Sequence, residues 1–206
     1  GEARRLINLV ERMLSFAGIQ SGRRIYDPQP TNVVEIVNRS LAEYAHAFAA
    51  GGWQVEQHVQ EDLPLVLTDG PALESALKNL FENALKYASQ GKWLSVNVAV
   101  ASSENSRREA QIIVADRGPG IPPQDLRHIF EPFYRGRGVI GSSITGAGLG
   151  LCLVERNLRA LGGRVTVESP PDGGASFTLH LPSIIESAAT RPDTLSSDDE
   201  KQDSAN

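Results

Sequence analysis

Cysteine, methionine and aromatic residues are all scarce in this 206-residue chain, with one Cys, one Met and 6% Phe, Trp and Tyr. The lone Cys152 excludes an internal disulfide and a cysteine-rich zinc site. It falls within an apolar helical pattern, where a free thiol behaves as a small hydrophobe, and a reducing, cytoplasmic setting is expected. No apolar run approaches the roughly 20 residues of a membrane-spanning helix. The opening Gly-Glu-Ala-Arg-Arg also lacks the apolar stretch of a secretory leader. A large excess of one charge is missing too. Of the formal −5, most falls after Pro182, where Glu186, Asp193, Asp198, Asp199, Glu200 and Asp203 face only Arg191 and Lys201. The near-balanced remainder argues against the broad electropositive face that duplex nucleic acid requires, while leaving room for a local basic pocket. What is present, 40% hydrophobic and 22% charged residues, is the composition of a globular protein with one packed core and appendages.

Along the chain, Leu6, Val10, Met13 and Ala17 recur at helical spacing from Glu2 onward, the stripe of a helix that packs on a partner helix. The chain opens without methionine and inside this pattern, so a longer parent is expected. Gly18, Gly22 and Asp27-Pro28-Gln29-Pro30 break the helix and mark a boundary at about residue 22. Thr31 or Asn32, with Glu35, starts a helix to about Ala50 that Gly51-Gly52 stops. Gln54–Gln60 reads as a strand. Asp69-Gly70-Pro71 opens a helix to about Ala88, because proline tolerates a first-turn position whose N–H would have no partner. Trp93–Val100 and Gln111–Ala115 read as strands about a polar turn, and a glycine-rich functional loop follows from Gly118 to Gly146. A helix over Gly148–Leu161 and strands at Val165–Val167 and Phe177–Leu181 close the pattern. Residues 183–206 have too little apolar surface to offset chain entropy and read as a disordered acidic tail.

Four segments carry chemistry. Asn79, Asn83 and Lys86 share one face of a predicted helix, since positions three and four apart are neighbours. A carboxamide oxygen suits Mg²⁺, which takes few protein ligands when phosphates and waters fill its shell. Such residues also occur on ordinary solvated helix faces. Asp116-Arg117-Gly118-Pro119-Gly120-Ile121 follows a strand; an acid there can accept from an exocyclic amine, and glycines let a flat ring approach, although the same pattern forms plain turns. Ile129-Phe130-Glu131-Pro132-Phe133-Tyr134-Arg135-Gly136-Arg137 supplies an aromatic pair expected to anchor the loop base in apolar core, and two arginines able to reach a phosphate. Thr145-Gly146-Ala147-Gly148-Leu149-Gly150-Leu151 opens a helix whose unpartnered amides can meet phosphate oxygens. A dinucleotide-binding βαβ unit is disfavoured, because the expected strand and ribose-binding acid are out of place.

In this order the four segments resemble the N, first glycine, F and second glycine boxes of the ATP-binding catalytic domain of two-component sensor histidine kinases, within the wider superfamily of gyrase, Hsp90 and MutL ATPases. The resemblance covers roughly Thr31 to Pro182. It implies an α/β (α+β) fold: a two-layer sandwich with a mixed sheet and helices on one face, preceded by the end of a dimerisation hairpin helix. The domains are then 1–22 (hairpin helix), 23–182 (catalytic domain) and 183–206 (tail). By the resemblance, Asp116 accepts from the adenine amino group with Gly118, Gly120 and Ile121 beside it. Asn83 ligates Mg²⁺ with help from Asn79. Lys86 contacts phosphate, Tyr87 borders the nucleoside, and Thr145, Gly146, Ala147, Gly148, Leu149 and Gly150 hold the phosphate chain. Arg135 and Arg137 reach phosphate from the loop.

The resemblance implies ATP and Mg²⁺ as ligands and transfer of the γ-phosphate to a histidine. The partners it implies are a response regulator receiver domain, the kinase's own dimerisation and histidine-acceptor domain and, in the full-length form, a second copy. A cytoplasmic placement is expected, with inner-membrane anchoring of the full-length parent left open. None of His46, His58, His128 and His180 sits in an acceptor-type His-acid motif; His46 and His128 read as helix positions, His58 and His180 as strand positions. Hydrolytic members place a glutamate four residues before the Mg²⁺ asparagine. Asn79 stands there and is no base at neutral pH, while Glu82 is rotated about 100° away. A nucleotide-binding or dimerisation module without transfer activity, and a hydrolytic ATPase, remain the alternatives.

Overall fold

A computed structural model describes residues 24–102, 108–136, 146–182 and 184–185, with scattered positions between 7 and 22. Five strands form one mixed sheet in the order β2–β4–β5–β7–β6, comprising β2 (Gln54–Val59), β4 (Trp93–Ser102), β5 (Arg108–Asp116), β6 (Arg164–Glu168) and β7 (Ala175–Leu181). Only the β2–β4 pair is parallel; the others are antiparallel. Alternate side chains Leu94, Val96 and Val98, Ala110, Ile112 and Val114, and Phe177, Leu179 and Leu181 turn to one face and are buried, as the two-residue period of a strand requires.

Three helices cover that face: α1 (Val33–Gly51), α2 (Gly70–Tyr87) and, after the one-turn α3 (Pro123–Leu126), α4 (Gly150–Ala160). The expected caps form. Asn32 accepts from Val34 N at 3.0 Å and its amide reaches Glu35 at 3.1 Å. Asp69 Oδ1 accepts from Ala72 N at 2.8 Å, with Pro71 in the first turn. Asp69 Oδ2 also accepts from Asp27 N at 2.8 Å, so the cap of α2 holds the incoming linker as well. Tyr44, Phe48, Phe81 and Trp53 form an aromatic cluster between α1, α2 and the start of β2, three of its four ring pairs edge-on and Tyr44–Phe48 tilted, and ring quadrupoles favour the edge-on pairs. Asn157, fully buried on α4, accepts from Tyr26 Oη at 3.3 Å and donates to Ala72 O at 3.4 Å, joining linker, α2 and α4.

The polar face of the sheet carries its own buried cluster. Glu109 receives Arg164 Nη1 at 2.9 Å and Nη2 at 3.1 Å, Gln111 Nε2 at 2.9 Å, and lies 2.6 Å from His180 Nδ1. Burial pushes the Glu109 carboxyl up, but hydrogen bonds from Arg164, Gln111 and His180 outweigh it and bring it down to about 2.

Three strands were not expected. β1 (Gln29–Thr31), β3 (Leu65–Thr68) and β8 (Ile184–Ile185) make a second small sheet in the order β1–β3–β8. β1 falls where prolines predict only a break, and β8 passes the boundary expected at 182, because pairing with β3 supplies the ladder that neither segment signals alone. Residues 186–206 and the turn 103–107 lie outside the described residues. The described positions from 7 to 19 are all helical, and Ile7, Val10, Met13 and Leu14 are exposed along that leader. His128 sits in the turn after α3 rather than in a helix, since α3 ends after four residues. Among the described residues no helix is long and apolar enough to cross a membrane.

Candidate functional site

A cavity of about 610 Å³ opens at one end of the sheet, between the last turns of α2, the end of β5, the segment after it, and the start of α4. Asn83, Tyr87, Asp116, Gly120, Ile121 and Arg135, named from the sequence, all border it. Asn83 and Tyr87 do so because they stand one helical turn apart on α2, and Asp116 because β5 ends there, opposite Leu94 and Ala175 of its neighbours.

Burial raises the Asp116 carboxyl above its ordinary value of 3.8, against the pull of the Gly118 and Ala175 amides. Gly118 N donates to Asp116 Oδ1 at 2.8 Å, so Gly118 braces the acid rather than bordering the cavity. Gly120 adopts φ +77°, and a Cβ there would lie 3.0 Å from Ser169 Oγ and 3.3 Å from Gly173 Cα; a side chain fits neither the backbone nor the space. The result is a desolvated acceptor beside a backbone free of side-chain bulk, suited to a planar heterocycle that donates a hydrogen bond.

The remaining positions are arranged less directly. Asn79 is buried on α2, donates to Ser75 O at 2.8 Å and does not border the cavity. Lys86 Nζ lies 3.4 Å from Glu82 Oε2, while Glu82 Oε1 accepts from Tyr44 Oη at 3.1 Å on α1. Glu82 is thus turned toward α1, as its helical angle from Asn83 implies. Gly146, Ala147, Gly148, Leu149 and Gly150 lead into α4 beside the cavity without bordering it. Among the described residues no side-chain cap hydrogen bond forms at Leu149, the N-cap of α4, in contrast to α1 and α2. Gly148 takes φ +69°, and a Cβ would come within 2.6 Å of the Phe133 carbonyl carbon. Arg137 and Thr145 lie outside the described residues.

The expected aromatic anchor holds for only one ring. Phe130 packs against the core. Phe133, at φ +63°, is exposed and meets Phe16 of the leader edge-on at 5.9 Å, with Arg156 of α4 over the Phe16 ring at 4.6 Å. A positive φ is uncommon at a bulky residue, and here it accompanies a ring on the surface instead of in the core.

Leu151, Ala175 and Phe177 give the cavity apolar walls, and Ile129, Tyr134 and the buried Asp125, which accepts from Tyr134 Oη at 2.9 Å, build its side under the arginine-rich segment. Ser169, Pro170 and Pro171 close it from the β6–β7 turn. Sequence reasoning missed these. Leu151 entered only as the last residue of the second glycine segment and Phe177 as a strand position, and Ser169-Pro170-Pro171 carried no signal.

Residues 68–185 match the family model described as Histidine kinase-, DNA gyrase B-, and HSP90-like ATPase. The sensor-like histidine kinase SenX3 of Mycobacterium tuberculosis is 34% identical over 188 residues, covering 90% of this chain and 44% of SenX3. The Escherichia coli sensor protein KdpD is 34% identical over 174 residues, covering 84% of this chain and 18% of KdpD. Full-length ShkA, crystallised in complex with AMPPNP, superposes with a TM-score of 0.73 at 27% identity over 89% of this chain and 37% of its own. The fold recurs in the Acinetobacter baumannii histidine kinase AdeS, with a TM-score of 0.69 at 21% identity over 88% and 80% of the two chains. The mixed sheet with its one-sided helical layer and the cavity at its end therefore define a nucleotide-handling α/β domain. The chain belongs to the histidine kinase-, gyrase B- and HSP90-like ATPase family, as an ATP-binding catalytic domain of the sensor histidine kinase kind. It spans less than half the length of the curated relatives cited.

Proposed function

We propose that the chain binds ATP with Mg²⁺ in the 610 Å³ cavity and transfers the γ-phosphate to a histidine on a separate segment, for relay to a response regulator receiver domain. The observation that carries this reading is the pairing of Asp116, a desolvated acceptor at the end of β5, with Asn83 across the same cavity on α2. Asp116 takes the adenine amino group; Gly118 braces it, and Gly120 and Ile121 lie against the ring. Tyr87 and the apolar walls Leu151 and Phe177 hold the nucleoside. Asn83 faces the metal end with Asn79 one turn behind it, Lys86 and Arg135 neutralise phosphate charge with Arg137, and the uncapped start of α4 with its leader from Thr145 to Gly150 takes the phosphate chain.

The residues present fit Mg²⁺ in one specific way. Among the described residues no group of three or more His, Cys, Asp or Glu is placed to hold a metal. A single carboxamide such as Asn83, with phosphate and water oxygens completing the shell, matches the habit of Mg²⁺ in nucleotide sites. The ion supplies charge neutralisation on the phosphates. The protein's own part is to orient the nucleotide and exclude water, since phosphoryl transfer depends on positioning and electrostatics more than on covalent help.

Three observations support transfer over hydrolysis. Asn79 occupies the position of a water-activating base and already donates to Ser75 O. Glu82 is engaged by Tyr44 and Lys86. None of the four histidines borders the cavity, so the acceptor lies elsewhere. The exposed apolar stripe Ile7, Val10, Met13 and Leu14 suits the end of a dimerisation hairpin over residues 1–22, ahead of a catalytic domain in a homodimeric, cytoplasmic or inner-membrane-anchored parent.

The test follows phosphate. The chain should bind ATP·Mg²⁺, hydrolyse it slowly and label itself negligibly from γ-labelled ATP. A dimerisation helix bearing an acceptor histidine, supplied with it, should acquire an acid-labile, base-stable adduct that Asn83→Ala abolishes. Rapid hydrolysis would favour an ATPase, and binding without transfer a conformational module. An adduct on serine or threonine would remove the histidine-kinase assignment.

A further inference from the structure

The segment that borders the purine end of the cavity has little structure of its own. Between the end of β5 at Asp116 and Pro123 of α3, residues 117–122 belong to neither strand nor helix. Two staples hold it. One is local: Gly118 N donates to Asp116 Oδ1 at 2.8 Å. The other comes from about 50 residues further along, in the turn between β6 and β7. There the Ser169 hydroxyl accepts from Ile121 N at 2.7 Å and donates to Gly174 O at 2.7 Å, while Gly174 N donates to Gly118 O at 2.8 Å. Both hydroxyl functions are thereby spent on the backbone. Gly120 at φ +77° sits against the same oxygen, a Cβ-equivalent distance of 3.0 Å. Ser169 itself borders the cavity, and the following Pro170-Pro171 restricts the turn that carries it.

We propose that Ser169 is a positioning residue for the purine end of the site, fixing the distance between the Asp116 acceptor and the Gly120–Ile121 backbone on which the base lies. This rests on the nucleotide-site reading above and adds a residue to it. The physical argument is one of registration. Asp116 is held by the sheet and Gly120–Ile121 by the β6–β7 turn, so the slot between them is set by the one side chain that joins turn to segment. Without the hydroxyl, Ile121 N–H and Gly174 C=O lose their partners; the Gly174 N–Gly118 O bond still holds the segment at Gly118, but Gly120–Ile121 beyond it can shift relative to the acid. The purine that Asp116 selects is then read less sharply, while the phosphate end, on α2 and at the start of α4, is untouched.

Calorimetry on the full chain tests this with adenosine, ATP·Mg²⁺ and GTP·Mg²⁺. Ser169→Ala should weaken adenosine and ATP by the same factor, roughly three- to tenfold, the range for losing modest neutral hydrogen bonds. It should lower the ratio of ATP to GTP affinity and leave the gain from Mg²⁺ at its wild-type value. Ser169→Thr should restore affinity and selectivity, and Ser169→Cys, close to serine in size but a weak hydrogen bonder, should repeat the alanine result and serves where the alanine variant unfolds. A merely structural role would lower the melting temperature without changing the purine ratio. Wild-type affinity and selectivity in folded Ser169→Ala or Ser169→Cys, or a loss confined to the phosphate-bearing ligands, overturns the assignment. Failure of the unaltered chain to bind adenosine or ATP overturns the nucleotide site itself, and Ser169's role with it.

Discussion

Phe133 N donates to Gly148 O across 2.9 Å, joining the segment before the arginine-rich loop to the glycine segment after it. The two residues mirror each other in backbone as well, Phe133 at φ +63° and Gly148 at φ +69°. Residues 133 and 148 are therefore pinned to each other just before α4.

That pinning makes the second glycine segment unequal along its length. A Cβ at Gly148 would stand 2.6 Å from Phe133 C and 2.7 Å from Tyr134 O, whereas one at Gly146 would meet nothing within 4 Å. Gly148→Ala should cost about 2–4 kcal/mol in urea unfolding, from left-handed strain and overpacking together. Gly146→Ala should be near neutral. Equal effects at the two positions would contradict the pinned geometry.

Asp116→Ala removes a charge-assisted hydrogen bond to the base, worth roughly 1.5–3 kcal/mol. ATP affinity should fall at least about tenfold, with circular dichroism unchanged. Calorimetric titration that returns wild-type affinity in a folded variant would exclude Asp116 from the site.

Asn83→Ala should act at the other end. Adenosine affinity should stay within about twofold of wild type, while the improvement in ATP binding on adding Mg²⁺ shrinks by about tenfold, the equivalent of roughly 1.4 kcal/mol. Titrations with and without Mg²⁺ decide it, and full retention of the Mg²⁺ gain would place the metal elsewhere.

On the far face of the sheet, Glu109 carries a pH signature. Its carboxyl is lowered from 4.5 to about 2 in the folded chain. A depressed acid stabilises the fold above its unfolded value, so this contribution is complete above about pH 4.5 and is lost as pH falls toward 2. Glu109→Gln should lower stability at neutral pH by about 1.5–3 kcal/mol and flatten the acid limb over that window, with ATP affinity unchanged. Denaturant melts at several pH values test the sign, and an unaltered acid limb would show that the Arg164–Glu109–His180 cluster contributes nothing.

Local chemistry made much of this protein readable from its sequence. Asn32, one of two expected candidates with Thr31, and Asp69 cap their helices, because capping needs only a short polar side chain two or three residues from an orphan amide. Strand alternation located the five main strands, since the two-residue period records which face is buried. The order of Asn83, Asp116 and Gly120, which all border the cavity, pointed to it, since each belongs to a contiguous segment. Tertiary structure decided what depends on distant pairing. β1, β3 and β8 exist only by hydrogen-bonding to one another, and their two to four residues carry too little periodicity to announce a strand. Phe133 combines a left-handed backbone, a hydrogen bond to Gly148 O and an exposed ring, none of which its propensity signals. Ser169 looks like any turn serine until the sheet brings β7 beside β5 and sets its hydroxyl 2.7 Å from Ile121 N. A hydrogen bond across 48 residues is a property of the fold, and the sequence contains it only through the sheet that closes the distance.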